Sequence, residues 1–111
     1  MKTIDFDTFA AVDIRAGKIL RAENLEGARK PAYKLQIDFG KEIGTKWSSA
    51  QITDLYKAED LIGKTILAVV NLEPKRIAGF KSEVLVLGVY GADGVVLIAP
   101  TLDVQPGDKL G

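Results

Sequence analysis

At 111 residues, with 47% hydrophobic and 27% charged side chains, the chain reads as one globular domain over residues 1–111, large enough to bury a core without staples. It has no cysteine and no histidine, which excludes disulfides, thiolate chemistry, the usual metal ligand and any Ser-His or Cys-His nucleophile. Fifteen basic residues balance fifteen acidic ones, so the chain is not a polyanion binder by bulk charge alone.

The acidic residues are scattered, and the adjacent pair Glu59-Asp60 falls in a predicted helix. The reading is therefore of a binding protein and not an enzyme, with no catalytic residue, cofactor or metal expected. No apolar run approaches the roughly 20 residues of a membrane span. The lack of a signal peptide and of cysteine points to the cytoplasm.

In chain order, Asp5 is placed to cap a short helix that carries Phe6, Phe9 and Ala10. From Val12 the period becomes two: Val12, Ile14 and Ala16 alternate with Asp13 and Arg15. Gly17 shifts the phase, which predicts a bulge or a barrel bend. Residues 24–31 form a polar loop.

Tyr33, Leu35, Ile37 and Phe39 then alternate with Lys34, Gln36 and Asp38, the clearest strand in the chain. A turn over 40–44 leads to a third strand over 46–52. Thr53 is placed to cap a helix over 54–62, with Gly63 as its stop. Residues 65–72 and 83–90 are apolar, β-branched strands, and Gly91-Ala92-Asp93-Gly94 is a hairpin turn into a last strand over 95–99.

This order, with one helix between the third and fourth strands and a bend at Gly17, predicts an all-β fold: the five-stranded oligonucleotide/oligosaccharide-binding (OB) barrel. Short helices sit at the N-terminus and between strands 3 and 4, and an extra C-terminal strand follows.

Basic residues concentrate in two places. Between Arg15 and Lys34 lie six, namely Arg15, Lys18, Arg21, Arg29, Lys30 and Lys34, against Glu23 and Glu26. Between Asn71 and Ser82 lie Lys75, Arg76 and Lys81, against Glu73. The second group stands in a Gly-containing loop held between two strands, where binding residues concentrate.

Lys75, Arg76 and Lys81 suit phosphate, and Lys34 extends the track if its strand face lies beside the loop. Asn71 suits either a base or sugar edge, or a turn-forming bond to the backbone. Ser82 suits a phosphate or base edge, while Glu83 would orient Arg76 or Lys81 or accept from a base amino group. Gly79 supplies a positive φ. Trp47 and Phe80, each next to a lysine, suit either base stacking or an apolar peptide pocket, unless they are buried in a core or dimer seam.

The segments VDIRAGKILRAE, YKLQIDFG and NLEPKRIAGFKSEVLVLG, in that order, resemble the EMAP-like tRNA-binding domain family. SSAQIT and KSEVLVLG are similar to its CsaA branch of export-related chaperones. The resemblance spans nearly the whole chain. It implies a homodimer of OB barrels that binds tRNA or other RNA and, in the CsaA branch, exported or unfolded preproteins. Two segments depart from the family's usual wording: Ser82-Glu83-Val84-Leu85 stands for Ser-Glu-Gly-Met, and Trp47-Ser48-Ser49-Ala50 stands where Val-Ser-Gly is common.

Overall fold

The computed structural model describes residues 1–111. Three long antiparallel strands follow the alternating stretches: β1 (Ile14–Asn24), β2 (Tyr33–Asp38) and β3 (Thr45–Ala50). Tyr33, Leu35 and Ile37 turn inward with Phe39 following them, as their period requires. β4 (Thr65–Val69) returns along β1, and the short β7 (Leu85–Val86) joins β4. The five-stranded sheet runs β3-β2-β1-β4-β7 and curls into the nearly closed OB barrel.

β1 makes the curl possible. It pairs with β4 through residues 14–18 and with β2 through residues 18–24, so adjacent residues Ala16 and Gly17 are both buried. The phase shift at Gly17 is real, but the ladder irregularity lies between Ile19 and Arg21, where Leu20 is extra. Gly17 is needed for space: a Cβ there would lie 2.6 Å from Ile37 Cγ2 and from Phe39 Cε1. Ile19, Leu35, Ile37, Phe39, Leu61 and Ile66 fill the interior.

Between β3 and β7 the wall closes through side chains as well as backbone. Ser48 Oγ, fully buried, donates to Val84 O at 2.9 Å. Glu83 N donates to Trp47 O at 2.8 Å, and Glu83 Oε1 accepts from Trp47 N at 3.1 Å. Ser82 Oγ accepts from Ser49 N at 2.9 Å.

The helices are shorter than the sequence predicts or differently placed. α1 (Phe6–Ala10) is capped as expected, Asp5 Oδ1 accepting from Thr8 N at 2.7 Å. The turn over 40–44 contains one helical turn, α2 (Gly40–Ile43). α3 covers Ala58–Leu61 only, with Lys57 and not Thr53 at its N-cap position.

Tyr56 explains the late start of α3. Its carbonyl accepts from the Tyr33 hydroxyl at 2.7 Å and its own hydroxyl accepts from Leu97 N at 3.0 Å. Those two bonds anchor Tyr56 just past a turn over residues 53–55, and α3 begins beyond it with Leu61 buried in the barrel.

The apolar stretch over 83–90 is also broken. Leu87 N bonds Leu67 O at 2.9 Å, after which β8 (Gly88–Tyr90) leaves the barrel to pair with β9 (Val95–Leu97) across the Gly91–Gly94 turn. The tail folds back on β1, with Ala16 N donating to Asp108 O and Leu110 N to Ile14 O, both at 2.9 Å.

Candidate nucleic-acid interface

The loop expected over residues 71–82 is a β-hairpin, β5 (Lys75–Ile77) and β6 (Phe80–Ser82), inserted between β4 and β7. Its two-residue turn holds Ala78 at φ 52° and Gly79 at φ 79°, the doubly left-handed conformation that matches strand twist in tight hairpins. Gly79 behaves as expected; Ala78 is the one non-glycine residue of the chain with positive φ.

Alternation along the hairpin sorts its side chains. Lys75, Ile77, Phe80 and Ser82 share one face, with Ser82 buried against β3. Arg76 and Lys81 are directly opposite each other on the other face. Across from the hairpin stands the β1–β2 loop, pinned at its base by Leu25 N bonding Ala32 O at 3.0 Å.

Between loop and hairpin runs an open groove of about 400 Å³, lined by Gly27, Ala28, Arg29, Lys30, Ala32, Ser49, Gln51, Lys75, Arg76, Ile77 and Ala78. Four of these eleven residues are basic and none is acidic. Arg29, Lys30, Lys75, Arg76 and Lys81 make no ion pair with a carboxylate; the ion pairs of the chain are Arg15–Asp13, Arg21–Glu23, Lys34–Glu23 and Lys46–Glu83.

The outer face of β1-β2-β3 continues from this groove as three cross-strand rows. They read Lys18–Asp38–Thr45, Arg21–Gln36–Trp47 and Glu23–Lys34–Ser49. Lys34 therefore does lie beside the hairpin, through Ser49, but its ammonium faces Glu23 at 3.9 Å. Trp47 and Phe80 meet edge to face, with ring centroids 5.9 Å apart, and the Arg21 guanidinium sits 5.5 Å over the Trp47 ring. Both rings are half-buried, on this polar face and not in the core.

The remaining predicted residues do structural work. Asn71 Oδ1 accepts from Asp13 N at 2.9 Å and Nδ2 donates to Ala11 O at 2.8 Å, so both ends of its amide hold the N-terminal segment. Of its two readings the backbone one applies, across a long sequence separation instead of within its own turn. Ser82 and Glu83 belong to the β3 seam described above.

The expectation that Glu83 orients Arg76 or Lys81 is corrected: its carboxylate accepts from Trp47 N and lies 3.9 Å from Lys46 Nζ, while Arg76 Nη1 donates to Gly79 O at 3.3 Å. Arg29 and Lys30 form the far wall of the groove and Arg21 covers Trp47. None of the three was a predicted site residue. Their signal was the basic excess between Arg15 and Lys34, which marks a surface without saying which members face the hairpin.

At the opposite end of β1, Arg15 Nε donates to Asp13 Oδ1 at 2.7 Å and Nη1 to Gly107 O at 3.0 Å. That hydrogen bond from Arg15 holds the Asp13 carboxyl below its ordinary 3.8. No group of three His, Cys, Asp or Glu residues is arranged to hold a metal ion. No helix is long and apolar enough to cross a membrane.

The chain is 52% identical to the CsaA chaperone protein of Picrophilus torridus, whose crystal structure it matches with a TM-score of 0.94 over 98% of this chain and all of that one. It is also 52% identical to the chaperone CsaA of Bacillus anthracis, with a TM-score of 0.92 over 99% of this chain and all of the other. Over 110 residues, 99% of its length, it is 34% identical to the methionine–tRNA ligase of Pyrococcus horikoshii. The chain spans about 15% of the length of that ligase. A family model described as "Putative tRNA binding domain" matches residues 14–109. On that match, which takes in the barrel, the hairpin and both walls of the groove, the chain belongs to the tRNA-binding domain family.

Proposed function

We propose that this chain is a non-catalytic RNA-binding protein whose ligand is tRNA, held by phosphate contacts in the groove between the β1–β2 loop and the β5–β6 hairpin. The observation that carries the reading is convergence of charge: four basic residues and no acidic one line a single groove. Arg29, Lys30, Lys75 and Arg76 line one groove, Lys81 stands opposite Arg76, and none of the five has a carboxylate partner.

Like charges directly across a strand pair weaken it, so a chain with fifteen carboxylates available gains nothing in stability from this arrangement. An RNA backbone supplies the missing anions. Serine and glutamine in the groove, with Lys34 nearby, add polar donors along the same path. Contacts of this kind position RNA and carry little sequence information.

Binding of bulk tRNA in gel shifts at low salt tests the reading, and Lys75→Ala/Lys81→Ala should weaken it about tenfold or more. No shift for the unaltered protein at low salt overturns it.

A second reading, export-related chaperoning of preproteins, is supported by the likeness to two CsaA chaperones and by apolar surface that adjoins the cationic groove at Ser49 and Gln51. An open groove of about 360 Å³ is lined by Ile52, Leu85, Val86, Leu87, Tyr90 and Val95, among others. Trp47 and Phe80 are not part of it. Salt-insensitive suppression of aggregation of an unfolded client supports this role; its absence leaves a tRNA-binding module alone.

We assign the chain a homodimeric state as well. No residue of α1 is buried within the chain, Phe6 being 77% and Phe9 41% exposed, and a second copy would cover such a face. A monomer mass by light scattering at micromolar concentration would contradict the dimer. The proposed compartment is the cytoplasm, where tRNA resides.

A further inference from the structure

The Trp47–Phe80 pair lies outside the cationic groove, and phosphate binding does not use it. Trp47 lies between Arg21 above its ring and Phe80 at its side, in a row whose middle member is Gln36. The two neighbouring rows, Lys18–Asp38–Thr45 and Glu23–Lys34–Ser49, are polar throughout. An apolar peptide side chain would thus find two rings, with half-buried Ile77 beside Phe80, set between polar rows. A nucleobase needs no more than that: a ring to stack on, polar edges around it and cations for the adjoining phosphates.

Arg21 is the movable part. Its guanidinium is held over the indole by an ion pair to Glu23 at 2.6 Å, with the side chain 58% exposed. Exposed pairs of this type are loosened by salt and by competing phosphate.

We propose that Trp47 and Phe80 form a stacking site for one unpaired base. Arg21 swings off the indole onto an adjacent phosphate, the base takes its place over the ring, and the strand continues past Lys34 into the groove. The RNA recognised is then one with a single-stranded segment, because bases inside an A-form duplex are stacked and cannot reach the ring. This rests on the RNA-binding reading above and specifies its ligand.

Trp47 is the only tryptophan of the chain, so its emission reports the site directly. The unaltered protein is titrated with a 12-nucleotide oligouridylate and, separately, with a blunt 12-base-pair RNA duplex, both end-labelled so that anisotropy measures binding independently. The oligouridylate should quench Trp47 emission by about half or more at saturation, and the duplex should bind through phosphates with little quenching. Phe80→Ala should weaken oligouridylate binding about tenfold and leave duplex binding within about twofold.

Salt-dependent anisotropy with unchanged Trp47 emission overturns the stacking site while leaving RNA binding intact. Equal quenching by the duplex, or quenching by an unfolded apolar peptide and not by oligouridylate, also overturns it. No anisotropy change with either RNA or with bulk tRNA defeats the RNA-binding reading itself. Should Phe80→Ala fail to fold, the titrations of the unaltered protein decide the matter.

Discussion

Asn71 shows how one side chain of the motif-bearing stretch works at the scale of single bonds. Its amide satisfies the backbone N–H of Asp13 and the backbone C=O of Ala11, tying the end of β4 to the segment before β1. Asn71→Ala should therefore lower stability by about 1 kcal/mol in chemical denaturation. It should leave tRNA affinity within about twofold, since the amide is tied to the N-terminal segment and does not line the basic groove. From sequence alone the two readings were equal, because nothing local shows which distant backbone atoms a side chain meets.

Asp13 offers a pH-dependent test at the same scale. Its folded-state carboxyl titrates below 3.8 because Arg15 donates to it. A depressed acid contributes stability that is present above the unfolded-state value and is lost as pH falls through the folded one. The thermal midpoint should hold from neutrality down to about pH 5 and fall below about pH 4, with Asp13→Asn flattening part of that fall.

Among the elements, the β3–β7 seam matters most to the site, because it seats the hairpin on the barrel. Ser48, Ser82 and Glu83 lie in the segments that made the family recognisable, and all three are spent on backbone atoms across that seam. Glu83→Ala would strand the Trp47 N–H and should cost about 1–2 kcal/mol. Glu83→Gln keeps an acceptor and should recover most of the loss. Equal destabilisation by both variants, measured by urea unfolding, would point to the charge and Lys46 instead.

The first three strands, the N-terminal cap, the alternation in β2 and the Gly91–Gly94 turn were legible because period and turn chemistry are local. The late start of α3 was not, since it follows from Tyr33 in β2 and Leu97 in β9 bonding Tyr56 across long sequence separations. The β5–β6 hairpin was missed for a related reason. Its turn puts Ala78, and not the usual Asn or Asp, at φ 52° before Gly79.

At the scale of the whole molecule, a chain of zero net charge carries one groove with basic walls on both sides. The hairpin wall was visible as a basic cluster in a matched motif. The facing wall of Arg29 and Lys30 was visible only as composition, because closing the barrel is what brings the β1–β2 loop opposite the hairpin. The central claim is that these two walls bind RNA phosphates together.

It is tested most directly by the salt dependence of tRNA affinity for the unaltered protein and for Arg29→Ala/Lys75→Ala, which removes one cation from each wall. With about five phosphates neutralised, log affinity against log salt should slope at about −4, and the double variant should lose about 2 of that slope while keeping its unfolding midpoint. An unchanged slope in a folded double variant, or no affinity at low salt in the unaltered protein, would contradict the account.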